Sequence, residues 1–127
     1  MIVRLLVGDD RSQQHAARDY IAARCTSDDP AWIDPIVTVE SVWILERRYS
    51  FSRTQIAAAF EKLLDTAELV FEDHDLIRAA LAAYRDGAGF ADALVAERNA
   101  RMGCVATITF DTAAAKRLSH FTLLDAH

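Results

Sequence analysis

Disulfides, zinc knuckles, flexible linkers and membrane anchors all find little material in this sequence. Its 127 residues include two cysteines, two prolines and four glycines. Cys25 and Cys104 lack the paired spacing of a zinc site, so both are expected to be inert core thiols. Cys25 is expected to end a helix and Cys104 to begin a buried strand. No low-complexity tract or internal repeat divides the chain, and Pro30 and Pro35 lie close together. Residues 1–127 are therefore expected to form one domain, long enough to bury a core without metal or disulfide support. No apolar run reaches the length of a membrane span. The opening stretch is broken by Arg4 and Asp9 and lacks the long apolar centre and cleavage site of a signal peptide. A cytoplasmic protein with no membrane partner is the expectation. Positive charge is scarce as well. Fourteen Lys and Arg against nineteen Asp and Glu give a net charge of −5, which argues against holding nucleic acid by basicity alone. It does not exclude a nuclease, because clustered carboxylates are what metal-assisted phosphodiester chemistry requires.

What is present is an apolar half, 52% of the residues, arranged in short runs. In Met1–Val7, Val3, Leu5 and Val7 alternate as in a strand, while Ile2, Leu5 and Leu6 stand at helical spacing, and periodicity leaves both readings open. Gly8-Asp9-Asp10 is a turn whose aspartates suit the start of a helix over about Arg11–Arg24, burying Ala17, Tyr20 and Ile21. Trp32–Val39 reads as a buried strand weakened early by Pro35. Val39–Tyr49 is helical, with Val42, Leu45 and Tyr49 on one face. Ser52 and Gln55 form a capping-box signal, and Ile56, Phe60, Leu63 and Ala67 continue an apolar stripe. Leu69–Phe71 is a short strand and Asp73–Asp86 a helix stopped at Gly87-Ala88-Gly89. Phe90–Met102 is a helix ended by Gly103 in a left-handed cap. Cys104–Phe110 is a strand, Thr112–Leu118 a short helix and Phe121–Leu124 a last strand. Short apolar strands separated by helices predict an α/β fold with a parallel sheet covered on both faces. Ligands of such sheets collect beyond the carboxyl ends of the strands.

Three acids take those positions. Glu40 follows the strand at Trp32–Val39, between apolar Val39 and the Val42-Trp43 pair. Asp111 follows Cys104–Phe110. Asp92 lies in the first turn of the Phe90 helix, beside Ala91, Ala93 and Leu94. Asp92 and Asp111 would also suit helix N-termini simply because the helix dipole favours negative charge there. A buried Glu40 without a partner would be costly. Three carboxylates at one sheet edge would repel one another unless a divalent cation held them, and an oxygen-only set suits Mg²⁺ or Mn²⁺ rather than zinc.

The spans IVRLLVGDD, VTVESVWILERRY, GFADALVAERNARMGC and TITFD resemble, in this order and spacing, segments of PIN-domain proteins of the VapC toxin type. The resemblance covers essentially the whole chain. It implies a PIN-like three-layer fold, a central parallel sheet flanked by helices, with Met1–Val7 as a helix rather than a strand. It also implies a metal-dependent endoribonuclease of a toxin–antitoxin pair, acting on an RNA substrate, blocked by a cognate antitoxin protein and assembled as a homodimer. By position, Glu40, Asp92 and Asp111 would be the catalytic and metal-ligating acids, with Mg²⁺ or Mn²⁺ as cofactor. Thr109, two residues before Asp111, could support that ligand, although strand propensity accounts for a threonine there equally well. His15, His74, His120 and His127 lie outside the matched motifs and are read as surface or structural residues. Arg47, Arg48, Arg98 and Arg101 could meet an RNA backbone, although a solvated helix face accounts for them as well.

The family's first strand ends in an Asp-Thr-Asn-like sequence whose aspartate is a central ligand, and the helix resembling IVRLLVGDD follows it. Met1 stands where that motif has already finished, so the first central strand is expected to be absent from this sequence. Asp9 and Asp10, beyond the helix, cannot replace its aspartate. Three readings follow: a start assigned too late, a non-catalytic degenerate PIN domain acting as an antitoxin-binding or self-association module, or a strand supplied by another chain.

Overall fold

A computed structural model describes residues 2–7, 11–109 and 111–124. The turn expected at Gly8-Asp9-Asp10 and His127 lie outside the described residues. The chain divides into two compact units, Met1–His74 and Asp75–His127.

In the first unit, Ile2–Leu6 forms helix α1, as the resemblance implies, and Arg11–Arg24 forms α2. Strand β1, Ala31–Ile33, precedes α3, Pro35–Arg48, and α4, Arg53–Leu64, and the unit ends with β2, Leu69–Phe71. The two strands pair in parallel, with Ala31 opposite Leu69, Trp32 opposite Val70 and Ile33 opposite Phe71. Val42, Leu45, Ile56, Ala57, Phe60 and Phe71 are buried, and the rings of Phe60 and Phe71 meet edge to face at 6.4 Å. The capping box forms as expected: the Gln55 amide donates to Ser52 Oγ at 3.2 Å and the Ser52 amide to Gln55 Oε1 at 2.9 Å. Tyr20, expected inside, is 53% exposed, because α2 buries only Ala17. Ala67 is exposed beyond the end of α4.

The expected strand Trp32–Val39 is corrected most. Only its first two residues belong to β1, and the rest enters α3. Asp34 is the reason: its Oδ1 accepts from the Ile36 amide at 2.7 Å, and Pro35 occupies the first helical position, where its missing N–H costs nothing. An N-cap aspartate followed by proline starts the helix early and cuts the strand to three residues.

In the second unit, α5 is assigned to His74–Arg85, reaching back one residue, and α6 to Phe90–Arg101. Strand β3, Thr107–Thr109, helix α7, Thr112–Arg117, and strand β4, Phe121–Leu123, complete it. β3 and β4 pair in parallel, Thr107 opposite Phe121 and Thr109 opposite Leu123. Leu76, Ile77, Leu81, Tyr84, Phe90 and Leu94 are buried, with the Tyr84 and Phe90 rings edge to face at 6.0 Å. Gly103 adopts φ +88°, the left-handed cap expected after α6. The amides of Gly103 and Cys104 close on the carbonyls of Ala100 and Asn99 at 3.1 and 3.0 Å. That closure keeps Cys104 in the capping turn, exposed, rather than at the start of a buried strand. Cys25 is buried as expected. Among the described residues the strands form two parallel pairs, one in each unit. The architecture is helix-rich α/β, consistent with a PIN-like fold. No helix among the described residues is long and apolar enough to cross a membrane.

Candidate functional site

Asp111 and Asp92 come together in the second unit. Asp111 is the N-cap of α7: its Oδ1 accepts from the amides of Ala113 at 2.9 Å and Ala114 at 3.2 Å. Thr109 Oγ1 accepts from the Asp111 amide at 2.9 Å. The threonine therefore supports the aspartate through its backbone, and the cap fixes the carboxylate. The bland expectation for Asp111, a helix-capping role, is thus met in full, and it leaves the second carboxylate oxygen available to another group.

Asp92 is the third residue of α6, half-buried, with Gly89 as the N-cap. A helix N-terminus favours a negative charge, yet the Asp92 carboxyl is held above its ordinary value. Desolvation by burial is the larger cause and the charge of Asp111 the second. Like charges that raise a carboxyl in this way are relieved by a cation between them. Gly89 is a site residue that pattern reading passed over. A Cβ there would come within 3.2 Å of Asp92 Oδ2, so the glycine leaves the carboxylate its room. The spacing of Gly89 three residues ahead of Asp92 was the available signal.

Glu40 belongs to the first unit, in the second turn of α3. It is exposed, not buried between Val39 and Val42, because α3 turns Thr38, Ser41, Val42 and Leu45 inward instead. Nor does it directly follow a strand, since β1 ends at Ile33. The desolvation argument for Glu40 therefore falls. What replaces it is a cavity of about 300 Å³ lined by Val37, Glu40, Ser41, Ile44 and Arg48 and by Ile2 and Val3 of α1. Among the described residues, no group of three or more His, Cys, Asp or Glu side chains is placed to hold a metal ion.

The donor chemistry can be judged from the pair that is formed. Two carboxylates, one desolvated and both without basic partners in ion pairs among the described residues, offer hard oxygen donors of the kind Mg²⁺ and Mn²⁺ prefer. The described histidines do not add to them. His15 pairs with Asp19 of its own helix at 3.1 Å, and His74 Nε2 lies 3.2 Å from the Leu64 carbonyl. His120 Nε2 is buried without a hydrogen-bond partner, while its carbonyl accepts from the Thr107 amide at 2.8 Å. Arg101 stays local, with Glu97 at 4.0 Å and the Asp75 carbonyl at 3.4 Å.

A PIN domain family model matches residues 1–119. No curated protein and no solved structure gives a match. PIN domains are typically metal-dependent nucleases. The match spans both units and all three predicted acids, and by it the chain belongs to the PIN domain family.

Proposed function

We propose that the chain is an endoribonuclease toxin of the VapC type, dependent on Mg²⁺ or Mn²⁺ and paired with a cognate antitoxin. The observation that carries this reading is the Asp92–Asp111 pair within a matched PIN domain, where burial first and the charge of Asp111 second hold the Asp92 carboxyl above its ordinary value. Glu40, Asp92 and Asp111 would hold the metal, with a further aspartate that the resemblance assigns to a strand preceding α1. When bound, the metal would supply Lewis acidity at the phosphate and lower the pKa of a bound water.

The chain's own residues do the placing. Asp111 is oriented by the two amides of α7 and by Thr109. Gly89 leaves Asp92 room to reach beyond its helix. Glu40 stands exposed on α3, lining a cavity of about 300 Å³. A second copy and the antitoxin are the protein partners of this reading. Val105 (99% exposed) and Ile108 (58%) in the second unit supply apolar surface of the kind that partners cover.

RNA cleavage tests the proposal, assayed with Mg²⁺, Mn²⁺ or EDTA. The 127-residue chain, a version carrying an upstream strand with the additional aspartate, and its Glu40→Gln variant would be compared. Metal-dependent cleavage by the extended version, lost in the variant, supports the reading. If the extended version cleaves with neither metal, or Glu40→Gln cleaves equally well, the reading is wrong.

A further inference from the structure

Asp92 and Asp111 belong to different elements of the second unit, α6 and the cap of α7, so their spacing depends on how α6 is held against β3. The segment that joins α6 to β3 does little of the holding. Met102 and Val105 within it are 75% and 99% exposed, and Cys104 is exposed as well. A side-chain bond crosses between the two elements instead: Asn99 Nδ2 of α6 donates to Thr107 Oγ1 of β3 at 3.0 Å, partly buried. Asn99 lies seven residues after Asp92, on the same face of α6 and ~11 Å along its axis. Thr107 and Thr109 share one face of β3, because side chains alternate along a strand. Thr109 Oγ1 in turn accepts from the Asp111 amide at 2.9 Å. The turn after α6 uses the Asn99 carbonyl, which accepts from the Cys104 amide, and leaves the Asn99 side chain to Thr107.

We propose that Asn99 is a positioning residue for the Asp92–Asp111 pair: by bonding Thr107 it locks α6 to β3 and so sets the distance between the two carboxylates. Asparagine is a poorer helix former than alanine or leucine, so helix formation alone gives no reason for it here. The bond ties the Asp92 helix to the strand whose next threonine on that face holds the Asp111 amide. Small divalent ions tolerate little error in the placement of their oxygen ligands, and slack between α6 and β3 would pass directly to the carboxylates. Asn99 acts through Thr107 and not on the ion itself. The inference rests on the metal-dependent reading of the pair, which the metal-free arm of its test does without.

Asn99→Ala, Thr107→Val, the double variant and Thr107→Ser would be compared, with Ser52→Ala, a cap in the first unit, as the control for lost stability alone. Mn²⁺ affinity, read by electron paramagnetic resonance on the folded chain, should fall about tenfold in Asn99→Ala and in Thr107→Val, as for a group that supports a ligand. The double variant should fall no further than either single one, because both remove the same bond. Thr107→Ser keeps the hydroxyl and should retain most of the affinity, and Ser52→Ala all of it. The metal-free arm is urea denaturation in EDTA at neutral pH. There Asp92→Asn and Asp111→Asn relieve one shared repulsion, so their midpoint shifts should not add, and Asn99→Ala should bring them closer to additive. Full Mn²⁺ affinity in Asn99→Ala, equal losses in Thr107→Ser and Thr107→Val, or a double variant that loses the product of the singles overturns the proposal. So do midpoint shifts that add in the unmodified chain, or a non-additivity that Asn99→Ala leaves unmoved. If the unmodified chain binds no Mn²⁺ while Asn99→Ala moves the non-additivity as described, the positioning stands and the metal-dependent reading falls.

Discussion

Asp111 has two roles that substitution can separate. As N-cap of a six-residue helix it satisfies two amides through one oxygen, at 2.9 and 3.2 Å. Asp111→Ala returns both amides to water and should cost about 1 kcal/mol, the usual size of a lost cap. Asparagine caps as well as aspartate, so Asp111→Asn keeps those bonds while removing the charge. Loss of the favourable dipole interaction then runs against relief of the repulsion on Asp92, and the net change should be a few tenths of a kcal/mol at most. Urea denaturation in EDTA at neutral pH measures both. A cost of about 1 kcal/mol moves the midpoint by roughly half a molar for a protein of this size. Repeating the measurement in Mn²⁺ separates the second role: the unmodified chain should gain stability from the ion, and Asp111→Asn should gain much less. If Asp111→Asn loses as much as Asp111→Ala in EDTA, the cap is not what Asp111 supplies. If it gains as much as the unmodified chain in Mn²⁺, Asp111 is not a ligand.

Three further outcomes follow from the same geometry. Asp92 has a folded pKa above its unfolded value, through burial and then Asp111, so its ionisation disfavours the folded state. Stability from this group is complete below the unfolded pKa and lost as pH rises through the folded one. In metal-free buffer, Asp92→Asn should therefore be more stable than the unmodified chain at neutral pH, with the gap closing under acid. A thermal-melt series in which the gap is independent of pH contradicts this. Phe60→Ala, at a fully buried ring against Phe71, should cost about 3–5 kcal/mol by urea denaturation, and a loss under about 1 kcal/mol would refute the packing described. Ser52→Ala removes the capping-box hydroxyl and should cost about 1 kcal/mol, with an unchanged midpoint counting against the cap.

Helices were more legible in the sequence than strands because their signals are local. Ser52 with Gln55 marked the start of α4, Gly87 to Gly89 separated α5 from α6, and Gly103 marked the end of α6. Strands of three residues carry too little periodicity to fix their ends. The Asp34-Pro35 pair was visible, yet an apolar run following it reads equally as strand or helix until burial decides. Burial also decided against an enclosed Glu40, since the buried face of α3 centres on Thr38, Ser41, Val42 and Leu45. Asp92 and Asp111 were legible by position, one in the first turn of α6 and the other after β3. The repulsion expected between them is felt at Asp92, whose carboxyl is raised by burial first and by Asp111 second.

The central proposal is that Asp92 and Asp111 together hold one divalent ion. Mn²⁺ binding followed by electron paramagnetic resonance tests it on the unmodified chain and on Asp92→Asn and Asp111→Asn. Removing even a supporting group around a metal typically costs about 10–100-fold in affinity, so each variant should weaken binding by at least about tenfold. Undiminished Mn²⁺ affinity in either aspartate variant would contradict the shared site.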